Sequence, residues 1–248
     1  MNLAETASLL AIPFATGCAV LLTHVPLGQA VLKRGIVFVD LAVAQVAGVG
    51  VLVGHMLGLE GALAQQAAAF GPALALAVLL GWAERWWGDV AEALIGCIFV
   101  LAACAALLLV GAGPEGGSHL QEALSGQILW ASPTQALWSA AAGAVITGIW
   151  FWGGVRQGVG FYVCLAAAVT ISVQLVGVYL VFASLILPAL GSRRARHGLT
   201  VGYGIGLAGY GAGMAISVLG NWPTGPVVVW MLAAAALAAA LLTRRTIC

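Results

Sequence analysis

Among the polar side chains inside apolar stretches of this 248-residue chain are Asp40 and Gln45 in KRGIVFVDLAVAQVAGVG, Glu92 at the head of EALIGCIFV, and Gln174 in TISVQLVGVYL. A carboxylate at mid-membrane costs about 2.5–3.5 kcal/mol even on the lenient insertion scale, so each needs a reason. For Asp40 two readings stand: a carboxylate facing a translocation path, or an ion pair with Lys33 or Arg34 one to two turns away. Glu92 opens its stretch, where the helix dipole favours an acid. Gln174 either satisfies backbone groups freed at a helix break or lines a cavity, and Glu92 and Gln174 are the further path candidates. Near span ends, His24 and His55 suit interfacial hydrogen bonding. Between residues 113 and 133, Glu115, His119 and Glu122 gather carboxylate and imidazole, the ligand types of an outer metal vestibule, although a plain solvated loop has the same composition.

Other chemistry is missing. No GxxxxGK[ST] loop exists, the only lysine is Lys33, and neither HExxH nor GxSxG occurs. Self-powered ATP hydrolysis by a phosphate loop and intramembrane hydrolysis are thereby disfavoured. The five cysteines form no CxxC pair and read as small apolar packing residues.

The elements that position these groups follow from composition. Hydrophobic residues make up 62% of the chain and charged residues 7%, with a mean hydropathy of +1.08, against about 25% charge in soluble domains. This is an all-α integral membrane protein, and a soluble enzyme, a disordered chain and a nucleic-acid binder are excluded. The net charge of +1 gives no reason to expect an acidic polymer as partner. One transmembrane domain, 1–248, is expected. Apolar stretches at 7–27, 36–58, 64–83, 90–112, 134–154, 158–176, 178–190, 200–220 and 225–243 predict membrane helices. Glu5 and the absence of Lys or Arg before the first stretch argue against a signal peptide and for a retained span.

All nine basic residues fall between these stretches or at the C-terminus. Placing them in the cytoplasm puts the N-terminus outside and the C-terminus inside, and makes 158–190 cross twice, because Arg156 and Arg193 lie on one side. The break falls in Gln174–Gly177, leaving 178–190 as a short helix ending at Pro188. Gly202, Gly206, Gly209 and Gly213 recur at i, i+4, i+7 and i+11, a bare-backbone face for close helix packing.

Taken together, VPLGQAVLKRGIVFVDLAVAQVAGVG (25–50), EALIGCIFVLAACAALLLV (92–110), LSGQILWASPTQ (124–135), VTISVQLVGVYLVFASLILPAL (169–190) and NWPTGPVVV (221–229) resemble the metal-ion class of ABC-transporter permeases. The resemblance implies a vitamin-B12-permease-like bundle of eight to nine transmembrane helices with a broken region near 174–178. It also implies a homodimer in the bacterial inner membrane, cytoplasmic ATPase subunits and an extracytoplasmic solute-binding protein. That family carries an intramembrane Asp with a His four residues later as metal ligands. Asp40 matches the Asp, but the i+4 position is Ala44. Gln45, at i+5 and about 140° around the helix, is a neutral oxygen ligand at best. The segment after Pro188, ALGSRRARHGL, corresponds to the coupling helix that docks on the ATPase, giving Arg193, Arg194 and Arg196 that role beside their role as a positive-inside anchor. The implied function is a non-enzymatic permease subunit for a divalent metal, zinc or manganese. It would bind no cofactor of its own and leave ATP hydrolysis to its partner. A metal chelate as cargo, or an ATP-independent carrier or channel, is the alternative.

Overall fold

A computed structural model describes residues 3–87, 90–111 and 128–245. Among these residues the expected stretches are nine α-helices: α1 Leu3–Arg34, α2 Val39–Met56, α3 Ala62–Trp87, α4 Ala91–Gly111, α5 Pro133–Trp152, α6 Gly158–Val176, α7 Val178–Ser192, α8 Gly198–Gly220 and α9 Thr224–Arg245. Seven are long and apolar enough to cross a membrane by length and composition. The 15-residue α7 reaches only about 22 Å, short of a hydrocarbon core of about 30 Å. Helix α5 opens on Pro-Thr-Gln and starts cleanly, because Ser132 and Gln135 form a reciprocal capping box ahead of Pro133.

The helices form a bundle in which α1 packs against α5, α7 and α8, α2 against α3 and α4, α3 against α6, and α9 against α7 and α8. Loops carrying the basic residues lie at one end, here called the basic end. Exposed Trp86 and Trp152 mark the helix ends there, and Trp130, Trp138 and Trp222 lie toward the other, in keeping with interfacial aromatic belts.

Helix association in lipid depends on close packing and interhelical hydrogen bonds rather than on hydrophobic burial. The glycine stripe of α8 supplies the first and serves two neighbours. Val25 and Leu21 of α1 lie over Gly202 and Gly206, and Leu232 and Val228 of α9 over Gly209 and Gly213. A methyl group at Gly213 would come within 2.6 Å of the Val228 Cα. Proline creates the need for the second. Pro26 inside α1 cannot donate to the Leu22 carbonyl, which instead accepts from Thr147 Oγ1 of α5 at 3.2 Å and Tyr203 OH of α8 at 3.0 Å.

The break between α6 and α7 is one residue, Gly177, at φ +79°. A side chain there would force a disfavoured backbone, so glycine sets the break. Helix α7 runs past Pro188 to Ser192, longer than expected, with the proline inside the helix. Of ALGSRRARHGL, the segment that the resemblance gives as the coupling helix, the first four residues end α7, residues 193–197 form a turn and the last two begin α8.

Candidate functional site

The first turn of α2 concentrates the unusual chemistry. Phe38 caps the helix without a side-chain cap, and its backbone N–H donates to Glu92 Oε1 of α4 at 3.3 Å. Glu92 thus serves the start of a neighbouring helix as well as standing in the first turn of its own. The Phe38 ring stacks on Phe182 of α7, centroids 6.5 Å apart and planes 7° from parallel. Two residues on, Asp40 is 0% exposed, and neither carboxyl oxygen has a hydrogen-bond partner among the described residues; Glu92 Oε2 is buried and equally without one.

Among the described side chains, Arg34 and Arg156 are engaged elsewhere. Arg34 lies 4.0 Å from Glu84 of α3, stands 3.8 Å from the Phe161 ring centroid and donates to the Arg156 carbonyl. Arg156 donates to the carbonyls of Trp150 and Phe151. These contacts tie α1, α3 and the α5–α6 loop together, so the ion pair weighed for Asp40 is not made. Lys33 is exposed.

Helix rotation divides the two α2 candidates. Asp40, Ala44 and Ala47 share the buried face, whereas Leu41 and Gln45, four residues apart, line a groove of about 650 Å³ bordered by Phe99 and Leu107 of α4, Tyr179 and Phe182 of α7, and Trp230 of α9. Asp40 and Gln45 therefore do not converge. Ala44, the i+4 residue, is on the Asp40 face but carries only a methyl group.

Gln174 is exposed rather than lining an enclosed cavity. It does not repair the backbone at Gly177, but accepts from Gln66 Nε2 of α3 at 2.7 Å, toward the end opposite the basic residues. Arg193, Arg194 and Arg196 are exposed at the basic end. Glu115, His119 and Glu122 lie outside the described residues. His55 is exposed at the end of α2, but His24 is 0% exposed, because α1 continues ten residues beyond it to Arg34; its Nδ1 lies 2.9 Å from both the Val20 carbonyl and Thr23 Oγ1. Cys164 is buried and Cys18 partly so, but Cys97 and Cys104 face outward from α4. Among the described residues no group of three or more His, Cys, Asp or Glu gathers as a metal site.

Sequence reasoning missed Phe38, Gln66, Thr147 and Tyr203. Pro26 was the available signal for the last two, since a proline inside a helix announces a carbonyl in need of outside donors. Nothing local identified Gln66 as the partner of Gln174.

A model of the ABC 3 transport family matches residues 2–157 and 155–243. The fold is similar to that of PsaBC from Streptococcus pneumoniae in complex with Fab, with a TM-score of 0.76 and 20% sequence identity, covering 96% of this chain and 95% of that chain. No curated protein matches the chain.

Proposed function

Because the chain belongs to the ABC 3 transport family, we propose that it is the membrane-spanning permease subunit of a transporter that imports a divalent metal ion, zinc or manganese, by alternating access driven by partner ATPases. Asp40 lines the path, with Glu92 at the same end and Gln174 toward the other. The observation that carries this reading is Asp40 itself: a fully buried carboxyl, bare on both oxygens, in a helix that also borders an apolar groove. An acid so placed burdens a purely structural scaffold, whereas a cation passing it supplies the missing partner.

The rest of the reading follows from the distribution of charge. Nine crossings in a vitamin-B12-permease-like arrangement put the basic end in the cytoplasm of a bacterial inner membrane, with the N-terminus outside and the C-terminus inside. The exposed Arg193, Arg194 and Arg196 then face cytoplasmic ATPase subunits. An extracytoplasmic solute-binding protein delivers metal near the loop of Glu115, His119 and Glu122. A second copy of the chain completes the path as a homodimer.

The test is uptake of labelled zinc and manganese by cells carrying Asp40→Asn. The exchange keeps the shape and removes the charge, and uptake at limiting metal falls to background. Wild-type uptake would remove Asp40 from the mechanism.

A further inference from the structure

We propose that Phe38 and Phe182 are the inner gate of the path: their stacked rings close the basic end of the groove, and transport requires the rings to part. The inference rests on the transport reading above and deepens it, by naming the residues that hold the path shut and the bodies that move.

The packing sorts the helices into two sets. Helices α1, α5, α7, α8 and α9 pack on one another, as do α2, α3, α4 and α6, while the sets meet more sparingly, chiefly where α6 passes α1, α5 and α7 and where α2 passes α7. The groove runs along that seam, with Gln45 and Phe99 on one wall and Tyr179 and Trp230 on the other. Phe38 belongs to the first wall's set and Phe182 to the second's. Phe182 lines the groove, whereas Phe38 stands one turn before the lining residue Leu41 and is 46% exposed. The stack therefore lies between the groove and the basic end. Two stacked rings leave no passage for a hydrated cation, and a bare one finds no oxygen ligand on them.

Further contacts across the seam gather at the same end. Arg34 of α1 reaches Glu84 of α3 and the Phe161 ring of α6, and Trp150 of α5 meets Phe161 with centroids 6.0 Å apart. At the opposite end the bond from Gln66 to Gln174 stays within one set. The two sets are thus latched where the path must be shut against the cytoplasm. Two of the links between them turn on glycines at positive φ, Gly35 at +71° and Gly177 at +79°, the kind of position that absorbs rotation between rigid bodies. Glu92 holds the Phe38 backbone to α4, so that ring moves with its own set. Phe182 rides on α7, a single helix that ends at Ser192, directly before Arg193. A displacement of the arginine segment by an ATPase is therefore carried along α7 to the Phe182 ring.

The experiment measures labelled manganese and zinc entering cells that carry the chain with its partner subunits, both energised and depleted of ATP. Wild type takes up metal only when energised. Phe38→Ala and Phe182→Ala each raise entry into depleted cells by up to about tenfold, the range open to one aromatic pair. The double variant leaks no more than either single variant, because the rings act as a unit. Phe38→Tyr keeps the ring and stays tight, whereas Phe38→Leu keeps apolar bulk without the ring and leaks, which preserves the test should Phe38→Ala fail to fold. Variants without the ring that take up metal only when energised would overturn the gate and leave the transport reading standing. An equal leak in Phe38→Tyr, or leaks that add in the double variant, would overturn it as well. Wild-type cells that take up no metal when energised would overturn the transport reading, and the gate with it.

Discussion

Gln66 and Gln174, near one end of the bundle, are neutral and meet amide to amide at 2.7 Å; Asp40 and Glu92, at the basic end, are acidic and leave three carboxyl oxygens bare. The glutamines join α3 to α6, whereas Glu92 ties α4 to α2 through the Phe38 N–H and Asp40 bonds to nothing among the described residues. An amide carries its own donor and acceptor, so the glutamines bond directly to each other, with Gln66 Oε1 buried and without a partner among the described residues. An ionised carboxylate is acceptor-only, so no rotation of Asp40 or Glu92 lets one satisfy the other. A polar pair that closes on itself clamps helices; two acids close only if one carries a proton.

Three experiments press on this contrast between the ends, beginning with the largest effect. Charge reversal at the basic end, Arg193→Glu with Arg194→Glu, abolishes copurification of the ATPase partner. Unchanged copurification would reduce these arginines to an anchor and strip the basic end of its coupling role. At the other end the expected effects are those of packing. Gln66→Leu and Gln174→Leu each lower thermal stability in detergent slightly, and the double-mutant cycle returns a coupling of about 0.6 kcal/mol, the typical value for interhelical hydrogen bonds in membranes. Additive losses would mean that the glutamines do not clamp α3 to α6. The smallest effect belongs to Tyr203→Phe, because Thr147 still holds the Leu22 carbonyl. Adding Thr147→Val orphans that carbonyl, and the double variant loses more stability than the two single variants summed.

Much of the fold was legible because its determinants are local. Apolar length predicts each helix, Gly177 is the residue that a break requires, and the spacing of the α8 glycines repeats at the helical period whatever lies against it. The 140° between Asp40 and Gln45 was likewise visible from spacing, and the structure puts them on different faces of α2. Less of the site was legible. Lys33 and Arg34 are near Asp40 in sequence, yet Arg34 is drawn to Glu84 and Phe161 from α3 and α6. Helix α7 continues past Pro188 to Ser192, so the segment expected to couple to the ATPase is divided between the end of α7, a turn and the start of α8.

By itself the sequence determined that this is a helical membrane protein, where its helices run, and that Asp40 is an acid in need of a partner, since these depend on composition and on neighbours within one helix. Only the tertiary structure decided that Glu92 reaches the turn that carries it, that Arg34 and Arg156 bond elsewhere, and that Gln45 faces the groove instead. Which side chains meet across helices depends on how each helix is rotated against its neighbours, and that rotation is set by contacts between residues far apart in the chain.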